Sequence, residues 1–158
     1  MEIRTAVEED ASDACRVIRR SITELCISDH QNDPVTLTSW LSNKTPEIFV
    51  SWIKQPNNSV LVAVDGGIIL AVGSVTDAGE INLNYVAPEA RFRGVSEELL
   101  EALEARALQR GNVRCTLTST ETARRFYRDR GYVEDEASVK KAGIFGYPMS
   151  KSLTAKRL

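Results

Sequence analysis

Residues 59–75 read SVLVAVDGGIILAVGSV, and no other stretch constrains the fold as strongly. Two apolar runs rich in valine, isoleucine and leucine flank Asp65 and Gly66, with Gly67 next. These turn residues tolerate positive φ, so the stretch predicts two antiparallel strands joined by a tight hairpin. The same interruption leaves neither apolar run long enough to span a bilayer.

Around the hairpin the pattern alternates between strands and helices. EIRTA predicts a short first strand. Asp10 stands where an N-cap would, with Asp13 in the first turn. Ala11, Cys15, Ile18, Ile22 and Leu25 then recur at three- and four-residue steps, the stripe of an amphipathic helix. SDHQNDP breaks it. Pro34 and Pro46 each suit a first helical position, and Thr45 suits a cap. Beyond the hairpin, Ala78-Gly79 turns the chain into EINLNYVA, a strand that Pro88 ends. Val95, Leu99, Leu103 and Ala107 repeat at every fourth residue in a helix that Gly111 stops. VRCTLTST reads as another strand, ETARRFYRDRG as a short helix, and GYVEDEASV with FGYPMSKSL as a terminal strand pair. The predicted order is β-α-α-β-β-β-α-β-α-β-β, a mixed α/β fold.

The 158 residues fit one domain, 1–158, and leave no room for two ordinary ones. A formal net charge of -2 supplies no global field for nucleic acid or an acidic membrane, so neither is expected as a partner. The start, MEIRTAVEED, has no apolar region after a basic patch and is not expected to be a signal peptide. Cys15, Cys26 and Cys115 form no CxxC pair, and free buried thiols in a reducing, cytoplasmic compartment account for them most simply. No metal is expected, because the only histidine, His30, has no partner at ligand spacing.

The segment APEARFRGVSEELL, residues 87–100, packs Arg91, Arg93 and Gly94 between a strand and a helix. The first N–H groups of a helix lack intrahelical partners and sit at the positive end of its dipole. Gly94 lacks the Cβ that would keep a ligand off the backbone, Ser96 is small, and the arginines add charge. The stretch reads as an anion cradle, although a plain turn with solvated arginines would use the same residues.

VAPEARFRGVSEELL also resembles the acetyl-CoA signature of the GNAT acetyltransferases, matching at Val86, Pro88, Arg91, Gly94, Leu99 and Leu100. TETARRFYRDRGY resembles their second signature, matching at Ala123, Phe126, Tyr127, Gly131 and Tyr132. Ser96 departs from the usual glycine or alanine, and Thr120 from an asparagine that contacts the cofactor in many members; neither change removes a backbone donor. The resemblance implies a mixed, mostly antiparallel central sheet flanked by helices, splayed to form a cofactor cleft. It implies acetyl transfer from acetyl-CoA to the primary amine of a small molecule or peptide, and it allows a homodimer. The pyrophosphate would lie on the N–H groups of Phe92, Arg93, Gly94, Val95, Ser96 and Glu97. The pantetheine arm would pair with the backbone of Asn84, Tyr85 and Val86, and a freed N–H, that of Val86, would polarise the thioester oxygen.

Two residues carry the chemistry implied by the resemblance. Glu80 would take the amine proton through a water, looking along the face it shares with Asn82, Asn84 and Val86; otherwise it is a solvated strand-start residue. Tyr127 would hydrogen-bond the sulfur as charge develops, since full transfer from a phenol to a free thiolate is uphill by roughly 2 kcal/mol in water; otherwise it is a core residue of a short helix. ARRFYRDR interleaves four arginines with two aromatics, as some nucleic-acid binders do, but the total charge is negative. His30 is either an acceptor contact or a loop histidine, and Trp40 and Trp52 are core or lid residues. The rival function is an idle acyl-CoA-binding module of the same fold.

Overall fold

The computed structural model describes residues 1–154. Its sheet runs in the order β1-β2-β3-β4-β5-β8-β6, with β7 paired to β8. The strands are β1 (Glu2–Thr5), β2 (Asn58–Asp65), β3 (Ile68–Thr76), β4 (Glu80–Val86), β5 (Arg114–Ser119), β6 (Val133–Glu134), β7 (Val139–Lys141) and β8 (Ile144–Ser152). The pairings are antiparallel except β4 with β5. This is the mixed, mostly antiparallel α/β sheet expected from the sequence.

The hairpin anchors the fold. Asp65 pairs with Ile68, and Gly66 and Gly67 take φ of 57° and 79°. Positive φ at both turn positions matches the twist of the flanking strands. From Ser59 to Ala63 and from Ile69 to Val75 every residue is buried, so both faces of these strands are covered. Helix α5 (Val95–Gln109) covers one face and α1 (Ala11–Leu25), backed by α4 (Pro46–Lys54), the other. Gly73 on β3 lets α5 pack close against the sheet: a Cβ there would lie 2.8 Å from Leu103 Cδ1. No helix among the described residues is long and apolar enough to cross a membrane.

Four expectations change. First, Asp10 precedes α1 but does not cap it. Its carboxylate accepts from the Arg4 guanidinium at 2.8 and 2.9 Å and from the Val7 N–H, and the Arg4 hydrogen bond is the main reason it stays below the ordinary carboxylate range. Second, four helices rather than two precede β2. A single turn, α2 (Ile27–His30), forms inside the predicted break, whereas α3 (Pro34–Leu41) begins at the proline that suited a first helical position. Thr45 does cap α4, and Asp33 caps α3. Third, the terminal strand pair is three strands, because β6 and β7 each pair with a different stretch of β8. Fourth, His30 is not a loop residue but the last residue of α2. It is 1 % exposed, with Nδ1 taking the Asn32 N–H and Nε2 facing the Ile22 and Thr23 carbonyls. Those partners select the tautomer protonated on Nε2.

Candidate active site

The site begins where the sheet fails to close. β4 pairs with β3 as far as Val86, but with β5 only at Glu80–Thr116 and Ile81–Leu117. A bulge at Asn82 lies at the edge of this seam: Ser74 faces Leu83 while Val75 faces Ile81. Bulges add local twist, which turns the rest of β4 away from β5. The Ala87 N–H donates to Leu70 O at 2.8 Å. Counting back through the antiparallel register, the backbone groups of Tyr85 point at β3, and those of Asn84 and Val86 point into the gap. Of the three residues expected to offer main-chain groups, Tyr85 is therefore committed elsewhere.

A cleft of about 350 Å³ follows the gap, lined among others by Asn84, Val86, Ser96, Thr120 and Tyr127. Tyr127 comes from α6 (Arg124–Asp129) and is 6 % exposed. Its phenol oxygen accepts from Asn84 Nδ2 at 3.1 Å. Because that bond uses an acceptor lone pair, the phenol proton stays uncommitted, and no acceptor among the described residues takes it. Burial pushes the Tyr127 phenol up to about 12, against the opposing pull of the Asn84 bond. The thiol of Cys26, on the same cleft wall, is pushed up to about 12, chiefly by burial and secondarily by Asp29, so it stays protonated and inert.

At the start of α5 the N–H groups of residues 92–97 find no acceptor among the described residues; the first bond there runs from Glu98 N to Gly94 O. Gly94 takes φ 78° with open space where a Cβ would sit. Phe92 shares the left-handed conformation at φ 62°. Six consecutive free donors at a helix start fit a pyrophosphate, the group expected there. The charges divide unevenly. Arg91 lines the cleft, whereas Arg93 turns to Asp65 at 3.8 Å. Glu97 would oppose an anion, but Arg130 pairs with it at 3.6 Å. Val95 is buried and offers only its backbone. Thr120 Oγ1 accepts from the Ala123 N–H and starts the turn into α6.

Glu80 is not brought into this cleft. It is exposed at the first residue of β4 and borders a separate depression with Arg114 and Asp135. It stands four residue steps from Asn84, about 13 Å of strand. Sequence reasoning took the arginines of α6 as a group and did not single out Arg130. Its guanidinium stacks on Phe126 at 3.9 Å, and its Nε is buried without a partner among the described residues. The four-residue step from Phe126 to Arg130 is the signal that could have found it.

A family model described as an acetyltransferase (GNAT) domain matches residues 26–153. The chain belongs to the GNAT acetyltransferases. Among solved GNAT structures, a GCN5-related N-acetyltransferase from Rhodopseudomonas palustris superposes with a TM-score of 0.86 at 26 % identity, covering 96 % of this chain and 95 % of that one. The PaiA N-acetyltransferase from Thermoplasma acidophilum, solved with coenzyme A, gives a TM-score of 0.83 at 18 % identity over 96 % and 98 % of the two chains. Amino-acid acetyltransferases of Pseudomonas putida are 30 % identical over 100 residues, which is 58 % of this chain. The chain spans 23 % of the length of those curated relatives. For a GNAT chain, the open seam, the free N–H run and the tyrosine of the second signature lie in one continuous cleft.

Proposed function

We propose that residues 1–158 form one N-acetyltransferase domain that moves the acetyl group of acetyl-CoA to a primary amine by direct attack in a ternary complex. One observation carries this reading: a single cleft joins a run of free N–H groups to a buried phenol whose proton is uncommitted. The free groups of residues 92–97, with Arg91, bind the pyrophosphate. The gap-facing backbone of Asn84 and Val86 holds the pantetheine arm as an added strand and aligns the thioester. The Val86 N–H is the donor for its oxygen.

Tyr127 works as a neutral hydrogen-bond donor. With its phenol near 12 and a thiol near 8.5, complete proton transfer to a free thiolate is uphill by about 5 kcal/mol, more than in water. A hydrogen bond that strengthens as the sulfur gains charge needs no such transfer. Deprotonating the attacking ammonium at neutral pH costs about 4 kcal/mol. That proton leaves through water along the polar face of Asn84, Asn82 and Glu80, with Glu80 as the distant acceptor. Three buried, unpaired cysteines support a reducing, cytoplasmic compartment.

The experiment is a CoA-release assay with a panel of amines: amino acids first, given the names of the curated relatives, then polyamines, drug-like amines and peptide N-termini. Thermal melts with acetyl-CoA run beside it. At a hundredfold excess over Kd, binding stabilises the fold by about 2.7 kcal/mol. Release with one amine class, together with a raised Tm, supports the reading. An unchanged Tm at millimolar acetyl-CoA overturns it, and a raised Tm with no release for any amine returns the chain to the idle binding module.

A further inference from the structure

We propose that the Phe92 side chain is a stacking platform for the adenine base of the cofactor, a contact that rests on the CoA-binding reading above. Of the large apolar side chains among the described residues, Phe92 is the most exposed, at 92 %. It nevertheless lines the cleft, beside Gly94 and Ser96. Its backbone holds φ 62°, a conformation that disfavours residues with a Cβ and turns up chiefly at glycine or asparagine. The Arg91 guanidinium lies 4.7 Å from the ring centroid, and the ring otherwise faces solvent.

Such a ring has no role in the core. Its own N–H opens the free run at 92–97, where the pyrophosphate is proposed to bind. The base of a nucleotide follows its phosphates by one ribose, a span that a phenylalanine side chain matches. An aromatic ring stacks on a purine through the π-face, and an arginine on the other side of the ring adds a cation–π contact. Burying both exposed surfaces adds hydrophobic gain. The platform makes the adenylate half of the molecule count, so the protein distinguishes coenzyme A from phosphopantetheine on its own or on a carrier.

The test is calorimetric titration of wild type, Phe92→Ala and Phe92→Tyr with coenzyme A and with 4′-phosphopantetheine, which lacks the adenylate. Phe92→Ala keeps a Cβ at the same φ and is expected to weaken coenzyme A by roughly 5- to 150-fold while leaving phosphopantetheine unchanged. Phe92→Tyr keeps the ring and is expected to bind coenzyme A like wild type. Equal affinity of Phe92→Ala and wild type for coenzyme A removes the platform and leaves the cofactor reading intact. Equal weakening of both ligands also removes it, since the residue then only shapes the loop. Wild type binding neither ligand overturns the platform and the cofactor reading together.

Discussion

Asn84 and Tyr127 lie 43 residues apart in the chain and meet at 3.1 Å across the mouth of the sheet gap. The direction of that bond leaves the single phenol proton uncommitted. Tyr127→Phe removes the proton and keeps the ring, its contacts with Phe126 and Tyr132, and the helix. Turnover is expected to fall by roughly 10²- to 10⁴-fold with acetyl-CoA affinity within a few fold. A CoA-release assay beside a titration of the same variant checks it, and unchanged turnover removes Tyr127 from the chemistry.

Glu80 stands too far from Asn84 for direct contact. Through water, its loss slows proton removal only while the amine is charged. Glu80→Gln is therefore expected to lower turnover by roughly 3- to 30-fold near neutral pH and to approach wild type in alkali, where free amine is abundant. A pH–rate profile that superposes on wild type at every pH would make Glu80 a solvated residue.

Gly94 has open space around its missing Cβ, so a larger residue meets no protein atom. The φ of 78° still costs about 1 kcal/mol for a residue with a side chain. Gly94→Glu is expected to fold, to melt a few degrees lower, and to lose acetyl-CoA binding through bulk and charge. Wild-type affinity by calorimetry would reduce the loop to a turn.

Gly79 is the stricter position. Its φ is 82°, and a Cβ would lie 2.5 Å from the Arg114 carbonyl oxygen. Backbone cannot yield as a side-chain tip does. Gly79→Ala is expected to cost about 2–4 kcal/mol, lowering Tm by about 5–15 °C. A change below 2 °C would show that the β4–β5 seam is looser than its geometry.

Alkali should unfold the protein early. Burial raises Cys26 and Tyr127 to about 12 and Cys115 to about 11. The unfolded chain releases these protons first, near the ordinary values of 9.0 for the thiols and 10.0 for the phenol. Between those limits the folded state holds more protons, so stability present below about pH 9 is lost as pH rises towards 12, by ~1.4 kcal/mol per unit per group. Melting temperatures are expected to be level from about pH 7 to 8.5 and then to fall, less steeply in Cys26→Val. A level curve to pH 11 contradicts this.

Local chemistry made some of the molecule legible in advance and left other parts out of reach. The hairpin at Gly66 and Gly67, the four-residue stripe of α5 and the cap at Thr45 are decided by residues within a turn of one another, and all appear as expected. Asp10 carries the chemistry of a cap, but Arg4 competes for the carboxylate, and that competition depends on strand β1 lying alongside. His30 sits among polar turn formers, so nothing local announces that the chain will fold over it. The sheet gap came from resemblance to a family alone, because no local pattern in EINLNYV marks the bulge at Asn82 beside which the β4–β5 pairs stop.

The seam of two residue pairs between β4 and β5 has a mechanical meaning. It divides the sheet into two leaves, β1 to β4 and β5 with β8 and β6, bound along one short spine. A substrate arm paired along β4 would bridge the leaves, so occupancy and sheet continuity become the same variable. The amides of Asn84 and Val86 would then exchange with solvent quickly in the open book and slowly in the closed one. Each turnover would have to part the strand it had just completed, which places product release among the steps that can limit the rate.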